Sequence, residues 1–325
     1  GKDLLYTRLR AGNMDNVFGG AGTYGLFAQE YGFDSGNAVV VNRLYYSFPI
    51  GENFTVVGGP VVRMDDMLAV WPSAYPSDMT YDFFTYAGAP GAYNLALGGG
   101  AGVIFTTGDF SLSTSYLSTN ANDSNPNTGG FMTDGAGSSA TTQIAYAPSN
   151  WGVAAAYTYA SGDNGVGLYA GNASFPADLA SLLGVSNSFG LSAWWMPEES
   201  GLIPSVSTGF GVTYINTDNL GVDDVDAELY SWYIGLEWDD VFTDGNSLGL
   251  AFGQPTWVGK VTGDDGALGN IEDTPGYAWE LFYKFQVTDN ISVTPAITYL
   301  SKPFPSQDSD GLNALSGLIK TQFKF

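Results

Sequence analysis

Residues 316–325 read SGLIKTQFKF, and this stretch decides the fold. Side chains alternate across a β-strand, and here one parity is largely apolar while the other is polar: Ile319, Thr321, Phe323 and Phe325 against Lys320, Gln322 and Lys324. One face therefore suits lipid and the other suits water. A half-buried strand of a soluble sandwich is the alternative. We interpret Phe323 and Phe325 as the terminal aromatic signal for outer-membrane assembly, so the stretch predicts the last strand of a transmembrane barrel.

The same alternation recurs along the whole chain. It predicts 15 strands, at about 3–11, 22–31, 38–48, 53–63, 93–106, 109–118, 139–148, 151–161, 187–196, 203–216, 227–238, 247–258, 276–287, 291–300 and 316–325. Brief turns alternate with long connections at 64–92, 119–138, 162–186, 259–275 and 301–315. Short turns on one side and long loops on the other are typical of an all-β, antiparallel up-and-down barrel of the outer membrane.

The strand count also predicts an orientation. If the C-terminus is periplasmic, the brief turns are periplasmic, residue 1 lies outside and the first strand descends. Bacterial single-chain barrels have an even strand number, so we expect one more strand upstream of Gly1 and about 16 in all. Sixteen strands leave an aqueous lumen. Residues 1–325 are thus predicted to form a single outer-membrane barrel domain.

Composition limits the chemistry. The 325 residues include no Cys and no His, and 13% are charged, while 44 are Gly and 48 are Phe, Tyr or Trp (20, 20 and 8). Without Cys and His, thiol nucleophiles, the serine triad and most zinc sites are excluded. The net charge of −23 argues against nucleic acid as a partner. We expect neither catalysis nor a cofactor.

Basic residues lie near the two chain ends. Residues 64–259 contain 20 acidic residues and no Lys or Arg. Strand parity that sends Leu5, Tyr46, Val62 and Phe285 to lipid turns the bases inward, because a lipid-facing base at the bilayer midplane costs roughly 2–4 kcal/mol. The predicted basic wall of the pore consists of Arg8, Arg10, Arg43, Arg63, Lys284, Lys320 and Lys324. Chance one-sidedness, with bases merely avoiding lipid, is the alternative.

The long connection 64–92 is the predicted constriction loop. It contains Trp71, Phe83, Phe84 and Tyr86, which are too apolar to remain in water, so we expect it to fold into the pore. Its acidic side chains would then oppose the basic wall and create a transverse field that selects solutes: Asp65, Asp66, Asp78 and Asp82.

A second acidic cluster lies on a predicted external loop. Asp223, Asp224, Asp226 and Glu228 could hold Ca²⁺ or bridge lipopolysaccharide through divalent ions. The cluster lacks the glycine and the spacing of an EF-hand loop. A solvated acidic loop tip is therefore the preferred interpretation, and no metal site is assigned.

Four segments have distinctive motifs: GKDLLYTRLRAGN at 1–13, LYYSFPIG at 44–51, DVFTDGN at 240–246 followed by GQP at 253–255, and ELFYKFQVTDNISVTP at 280–295. Together they resemble the carbohydrate-selective porin family, in particular its cyanobacterial branch of iron-uptake or major outer-membrane porins. The resemblance implies a 16-stranded barrel, homotrimers and passage of small solutes. It also implies an N-terminal surface-layer-homology and coiled-coil region that binds peptidoglycan or cell-wall polymer, which this chain does not contain.

The combined prediction is an outer-membrane porin. It allows passive diffusion of small hydrophilic solutes and inorganic ions through a water-filled pore with a charged constriction. Its expected partners are outer-membrane lipid and lipopolysaccharide. Two alternatives stay open: a channel selective for iron or sugars, and a structural barrel that tethers the outer membrane to the cell wall.

Overall fold

The computed structural model describes residues 3–14, 32–76, 81–161, 185–199, 201–216, 226–262, 276–301 and 313–325. Within them lie 16 strands: β1 Leu4–Arg10, β2 Asn13–Met14, β3 Phe33–Asp34, β4 Val40–Ile50, β5 Phe54–Arg63, β6 Leu97–Thr107, β7 Phe110–Ser118, β8 Ser138–Tyr146, β9 Trp151–Ser161, β10 Val185–Trp195, β11 Ser205–Asn216, β12 Asp226–Asp239, β13 Ser247–Thr262, β14 Ala278–Thr288, β15 Ile291–Ser301 and β16 Asn313–Phe323. A 3-10 turn, Met64–Met67, and the short helix α1, Asp82–Thr85, follow β5. No helix in these ranges is long and apolar enough to cross a bilayer.

Fourteen of the strands form one antiparallel sheet in the order β1-β4-β5 and then β6 through β16, while β2 and β3 form a separate ribbon. Strand β9 shows why these sequences become strands. Its outward Val153 and Tyr157 are exposed, whereas its inward Ala154 and Ala156 are buried. Large apolar side chains on one face match a hydrocarbon surface, and small ones on the other leave room for packing in the interior.

The predicted pattern of connections is confirmed. Brief connections occupy 51–53, 108–109, 147–150, 196–204, 240–246 and 289–290, and longer ones alternate with them, including 11–39, 64–96 and 119–137. Fourteen of the 15 predicted strands coincide with strands of the large sheet. The remaining segment, 22–31, lies outside the described residues.

The direction of the first strand differs from the prediction. Strand β1 pairs directly with β4, from Leu4 opposite Ser47 to Arg10 opposite Val40. With 14 strands in alternation, β1 runs opposite to β16 and begins at the end of the sheet that holds the brief connections. The expectation that the first strand descends from the outside is wrong, because it placed 22–31 between β1 and β4. The strand-count argument for an upstream strand fails with it, and that strand rests on family resemblance alone.

Candidate functional site

The connection between β5 and β6, here called the inserted loop (residues 64–96), folds into the interior of the sheet. Its side chains Tyr81, Phe84 and Tyr93 are fully buried in one apolar cluster with Tyr233 of β12 and Phe282 of β14. The loop thus reaches strands far from its own two neighbours. The described parts of the predicted constriction loop, 64–76 and 81–92, pack inside the sheet as expected, and burial of aromatic surface is the physical reason.

Short hydroxyl side chains on the inner faces of β9, β11 and β12 bind the loop backbone. The contacts are Ser207 Oγ accepting from the N–H groups of Ala74 (2.9 Å) and Tyr75 (3.0 Å), Thr158 Oγ1 donating to Ala92 O (2.7 Å), and Ser231 Oγ donating to Gly88 O (2.8 Å). A loop buried in a barrel must satisfy its backbone groups without water. These hydroxyls do so without any charge.

Glycines on the same inner faces let the loop approach closely. A Cβ on Gly209 would lie 1.8 Å from Ala87 O, and one on Gly211 would lie 2.8 Å from the Cα of Ala89. Any larger residue would therefore displace the loop. We call this inner surface the hydroxyl wall, defined by Thr158, Ser207, Gly209, Gly211 and Ser231.

Glu280 of β14 is an interior residue that was not among the site residues predicted from the sequence. It is fully buried, with Oε1 accepting from the phenol of Tyr75 (3.0 Å) and Oε2 accepting from the backbone N–H of Tyr81 (2.6 Å). Burial, with the charge of Glu280 adding to it, raises the pKa of Tyr75 well above its ordinary value, so the phenol stays a donor. An acidic residue on the inward parity of β14 was the available sequence signal.

A second part of the interior, at β1, β4 and β5, holds arginines. Arg8 of β1 lies directly across from Arg43 of β4 in the strand register, which places both on one face. Arg43 is 3% exposed, and its Nε lies 2.8 Å from Asp66 Oδ2. Arg63 forms an ion pair with Asp65. We call Arg8, Arg43 and Arg63 the arginine corner.

These ion pairs change the expected electrostatics. The loop carboxylates were expected across the pore from the bases, whereas Asp65 and Asp66 directly contact Arg63 and Arg43. They lie at the start of the loop, only two or three residues after β5, and cannot reach the far wall. Burial, followed by repulsion from Asp65, raises the pKa of Asp66 despite attraction from both arginines.

A β-bulge accounts for one incorrect side-chain direction. The register between β5 and β6 shifts between Gly59 and Val62. Val62, which was expected to face lipid, is instead fully buried in the cluster that contains Met64 and Met67. An extra residue in a strand reverses the parity of everything beyond it, so alternation alone could not place Val62. The same reversal removes the parity argument for an inward Arg63, whose position instead follows from its ion pair with Asp65.

The other predicted bases lie in different surroundings. The Arg10 guanidinium carbon lies 4.0 Å from the ring centroid of Phe33 in β3. Lys284 shares the inward parity of Glu280 on β14, and Lys320 of β16 is 9% exposed. Lys324 is exposed beyond the end of β16, where its backbone N–H donates to Asn290 O (2.9 Å).

Several predicted acidic residues fall at or beyond the limits of the description. Asp78, Asp223 and Asp224 lie outside the described residues, and Asp82 begins α1. Asp226 accepts from Asn216 Nδ2 (2.8 Å), and Glu228 lies 3.5 Å from Lys260 Nζ. Across the ranges that the structure describes, no cluster of three or more metal-ligating side chains occurs.

Aromatic residues complete the site and the chain end. Tyr6 and Tyr45 stack with ring centroids 5.0 Å apart, two residues along the strands from the Arg8 and Arg43 pair and on the same face. At the end of β16, the Phe323 and Phe325 rings stack at 6.5 Å and both are exposed. Exposed rings at a sheet end suit a membrane interface.

An antiparallel sheet with an apolar outer face and a long loop packed inside defines the class of outer-membrane porin barrels. Solved structures support this fold. The match to Pseudomonas putida OprB covers 90% of this chain and 75% of that protein, with a TM-score of 0.56 and 15% sequence identity. The match to the trimer form of Vibrio cholerae OmpT covers 88% of this chain and 82% of that protein, with a TM-score of 0.57 and 10% identity. The protein is therefore an outer-membrane β-barrel.

The family is also established. The profile of the carbohydrate-selective porin, OprB family, matches residues 1–325, so the chain belongs to that family, and the resemblance drawn from its motifs is confirmed. Uncharacterized proteins of Nostoc and Synechocystis are 30% and 29% identical over the whole chain. The chain spans 58% and 61% of the length of these relatives. Family and fold indicate a channel rather than an enzyme.

Proposed function

We propose that the barrel allows passive diffusion of small hydrophilic solutes and inorganic ions through a charged constriction between the inserted loop and the arginine corner. One observation supports this path above others. Buried hydroxyls of β9, β11 and β12 bind the loop backbone, while Arg8, next to the buried Arg43 in the strand register, keeps partial exposure. Water and solutes therefore have access to the arginine side.

Charge at this constriction sets ion preference. Two arginines are paired with loop carboxylates, and Arg8 adds positive charge beside them. Charged linings select ions in channels, so the pore should favour anions near this corner. Neutralising Arg8, Arg10, Arg43 and Arg63 together to Gln should raise the cation-to-anion permeability ratio, measured as the reversal potential in a KCl gradient across planar bilayers.

The control keeps net charge constant. In the double variant Arg43→Gln with Asp66→Asn, one positive and one negative charge are removed together, so the reversal potential should change far less. An unchanged reversal potential in the fourfold variant would refute the charged constriction. Conductance near zero in the wild type would refute the diffusion pore itself.

Sugar passage is a second candidate, and the Tyr6 and Tyr45 pair favours it. Stacked phenol rings present an apolar face with polar edges, which suits the C–H and hydroxyl groups of a sugar ring, and adjacent arginines supply donors. Sugar-dependent block of the single-channel current would support this candidate. The block should weaken in Tyr6→Leu, whereas Tyr157→Phe on the outer face of β9 should leave it unchanged.

Assembly and attachment are further parts of the proposal. The OmpT structure is described as a trimer form, and we propose a homotrimer for this chain as well. Outer-membrane lipid and lipopolysaccharide would surround it, and the greater length of its relatives would provide the attachment to cell-wall polymer. Mass measurement of the detergent-solubilised complex tests the trimer, and a monomer mass would contradict it.

A further inference from the structure

We propose that Glu280 is the positioning residue that holds the inserted loop and thereby sets the open cross-section of the pore. The inference rests on the proposed diffusion function. Glu280 lies on the inner face of β14, in register with Ala251 of β13 and Thr298 of β15. Its two carboxylate oxygens bind two different points of the loop.

The two contacts clamp the middle of the loop. Oε1 accepts from the Tyr75 phenol at 3.0 Å, and Oε2 accepts from the Tyr81 backbone N–H at 2.6 Å. The loop donors lie six positions apart in sequence, so one side chain joins two separate points of the loop. Hydrogen bonds to an ionised acceptor are roughly twice as strong as neutral ones.

The surroundings hold Tyr75 in the orientation that this contact needs. Its ring packs 6.0 Å from the ring of Phe282 and 6.5 Å from that of Tyr233. It also fills the space left by the missing Cβ of Gly235, which would lie 2.7 Å from Tyr75 Cδ2. The phenol oxygen is therefore directed at β14 by packing and not by the hydrogen bond alone.

A carboxylate is energetically unfavourable at this buried position unless it is hydrogen-bonded. Burying an ionised group costs free energy unless hydrogen bonds compensate, and the inward neighbours on β14, Ala278 and Phe282, are apolar and equally buried. An apolar residue would have sufficed for packing. The carboxylate is explained by its two loop contacts, because it is covered by the loop and does not face passing solutes.

Substitutions of Glu280 can distinguish its role in positioning the loop from the effect of its charge. In Glu280→Gln, the carboxamide oxygen can accept from Tyr81 N–H while its NH₂ donates to the Tyr75 oxygen, so the loop should stay in place. In Glu280→Leu, both loop donors lose their acceptor, which is more costly than losing a satisfied pair. Tyr75→Phe removes one contact and keeps the ring.

The test is single-channel recording of the full chain in planar bilayers, with heat-modifiable gel mobility as the measure of barrel folding. We expect Glu280→Leu to change conductance by about twofold or more and to add closing transitions, because pore width follows loop position. Glu280→Gln should restore wild-type conductance and reversal potential. Tyr157→Phe, which loses an outer-face phenol contact to Asn187, is the matched control and should leave both unchanged.

Each outcome of this test supports or contradicts the positioning role of Glu280. Wild-type conductance in folded Glu280→Leu would overturn the positioning role while leaving the diffusion function intact. A shifted reversal potential in Glu280→Gln with unchanged conductance would assign Glu280 to the field and overturn the proposal. If Glu280→Leu yields no folded barrel, Tyr75→Phe replaces it, and steady wild-type currents there would count against the clamp. Absence of any wild-type current would instead contradict the proposed function.

Discussion

The hydroxyl wall and the arginine corner contact the same loop by different physical means. The hydroxyl wall uses neutral hydrogen bonds to the loop backbone and glycines that permit close approach. The arginine corner uses ion pairs to two side chains at the start of the loop. Neutral hydrogen bonds contribute about 1 kcal/mol each but demand exact fit, whereas a buried charge is costly to leave unpaired.

The two regions control different properties: one sets the location of the loop, and the other sets the charge beside it. The hydroxyl wall and Glu280 determine where the loop lies, since their contacts are spread along residues 74–92. The arginine corner determines how much positive charge remains beside the loop. Damage to the hydroxyl wall should therefore change conductance first, and damage to the arginine corner should change ion preference first.

The largest effect is expected from Gly209→Val. The new side chain would start 1.8 Å from Ala87 O, a backbone atom that cannot move aside alone. We expect a loss of about 3 kcal/mol in the free energy of unfolding, the upper range for overpacking, together with an altered conductance. Urea unfolding in lipid and single-channel recording measure the two. Gly317→Ala on β16, where the nearest atom is Ala296 O at 3.8 Å, should be silent in both. Wild-type behaviour of Gly209→Val would show that the loop is not seated there.

Arg43→Met should have the next largest effect. It leaves Asp66 partly buried without its side-chain partner, although the N–H of Arg63 still donates to Asp66 at 2.8 Å. We expect a loss of about 2 kcal/mol, below the usual range for broken buried pairs because Asp66 keeps some exposure. The reversal potential should shift in the direction of a higher cation-to-anion permeability ratio. The double variant Arg43→Met with Asp66→Leu should recover stability, and no recovery would mean that the pair does not account for the loss.

Ser207→Ala tests the hydroxyl wall more gently. It removes the acceptor of the Ala74 N–H and one of two acceptors of the Tyr75 N–H, which still donates to Ser73 Oγ (3.0 Å), and should cost about 1 kcal/mol. Conductance should become noisier while the reversal potential stays the same. Thr208→Val, one position away on the outer face, is the control and should not alter the current. A change in ion preference without a change in noise would contradict the division between the two sides.

The smallest effect concerns pH. The pKa of Asp66 is raised in the folded protein, so the folded state binds its proton more readily than the unfolded state does. Its contribution to stability is thus present below the ordinary carboxyl pKa and is lost as pH rises through the raised value. Protonation also removes a negative charge beside Arg43, so acidification should increase anion preference. Reversal potentials from pH 7 downward should show this step in the wild type, and a step that persists in Asp66→Asn would assign it elsewhere.

The sequence by itself predicted 14 strands of the large sheet, their alternating connections and the burial of the described parts of residues 64–92, because each follows from local periodicity or from apolar content within one segment. It also identified the family from motifs in order along the chain. It misassigned the direction of β1, because pairing of β1 with β4 is a choice between distant segments that periodicity does not encode. It also misassigned Val62, where a bulge reversed the parity.

Only the tertiary structure decided how the interior works. The pairing of Asp65 and Asp66 with Arg63 and Arg43 depends on a sharp turn after β5, and the clamp at Glu280 joins residues 199 and 205 positions apart. Alternation along a strand tells which side chains point inward, since it is a property of one strand. Which inward side chains meet depends on how the loop crosses the barrel, and that is set by packing among many strands at once.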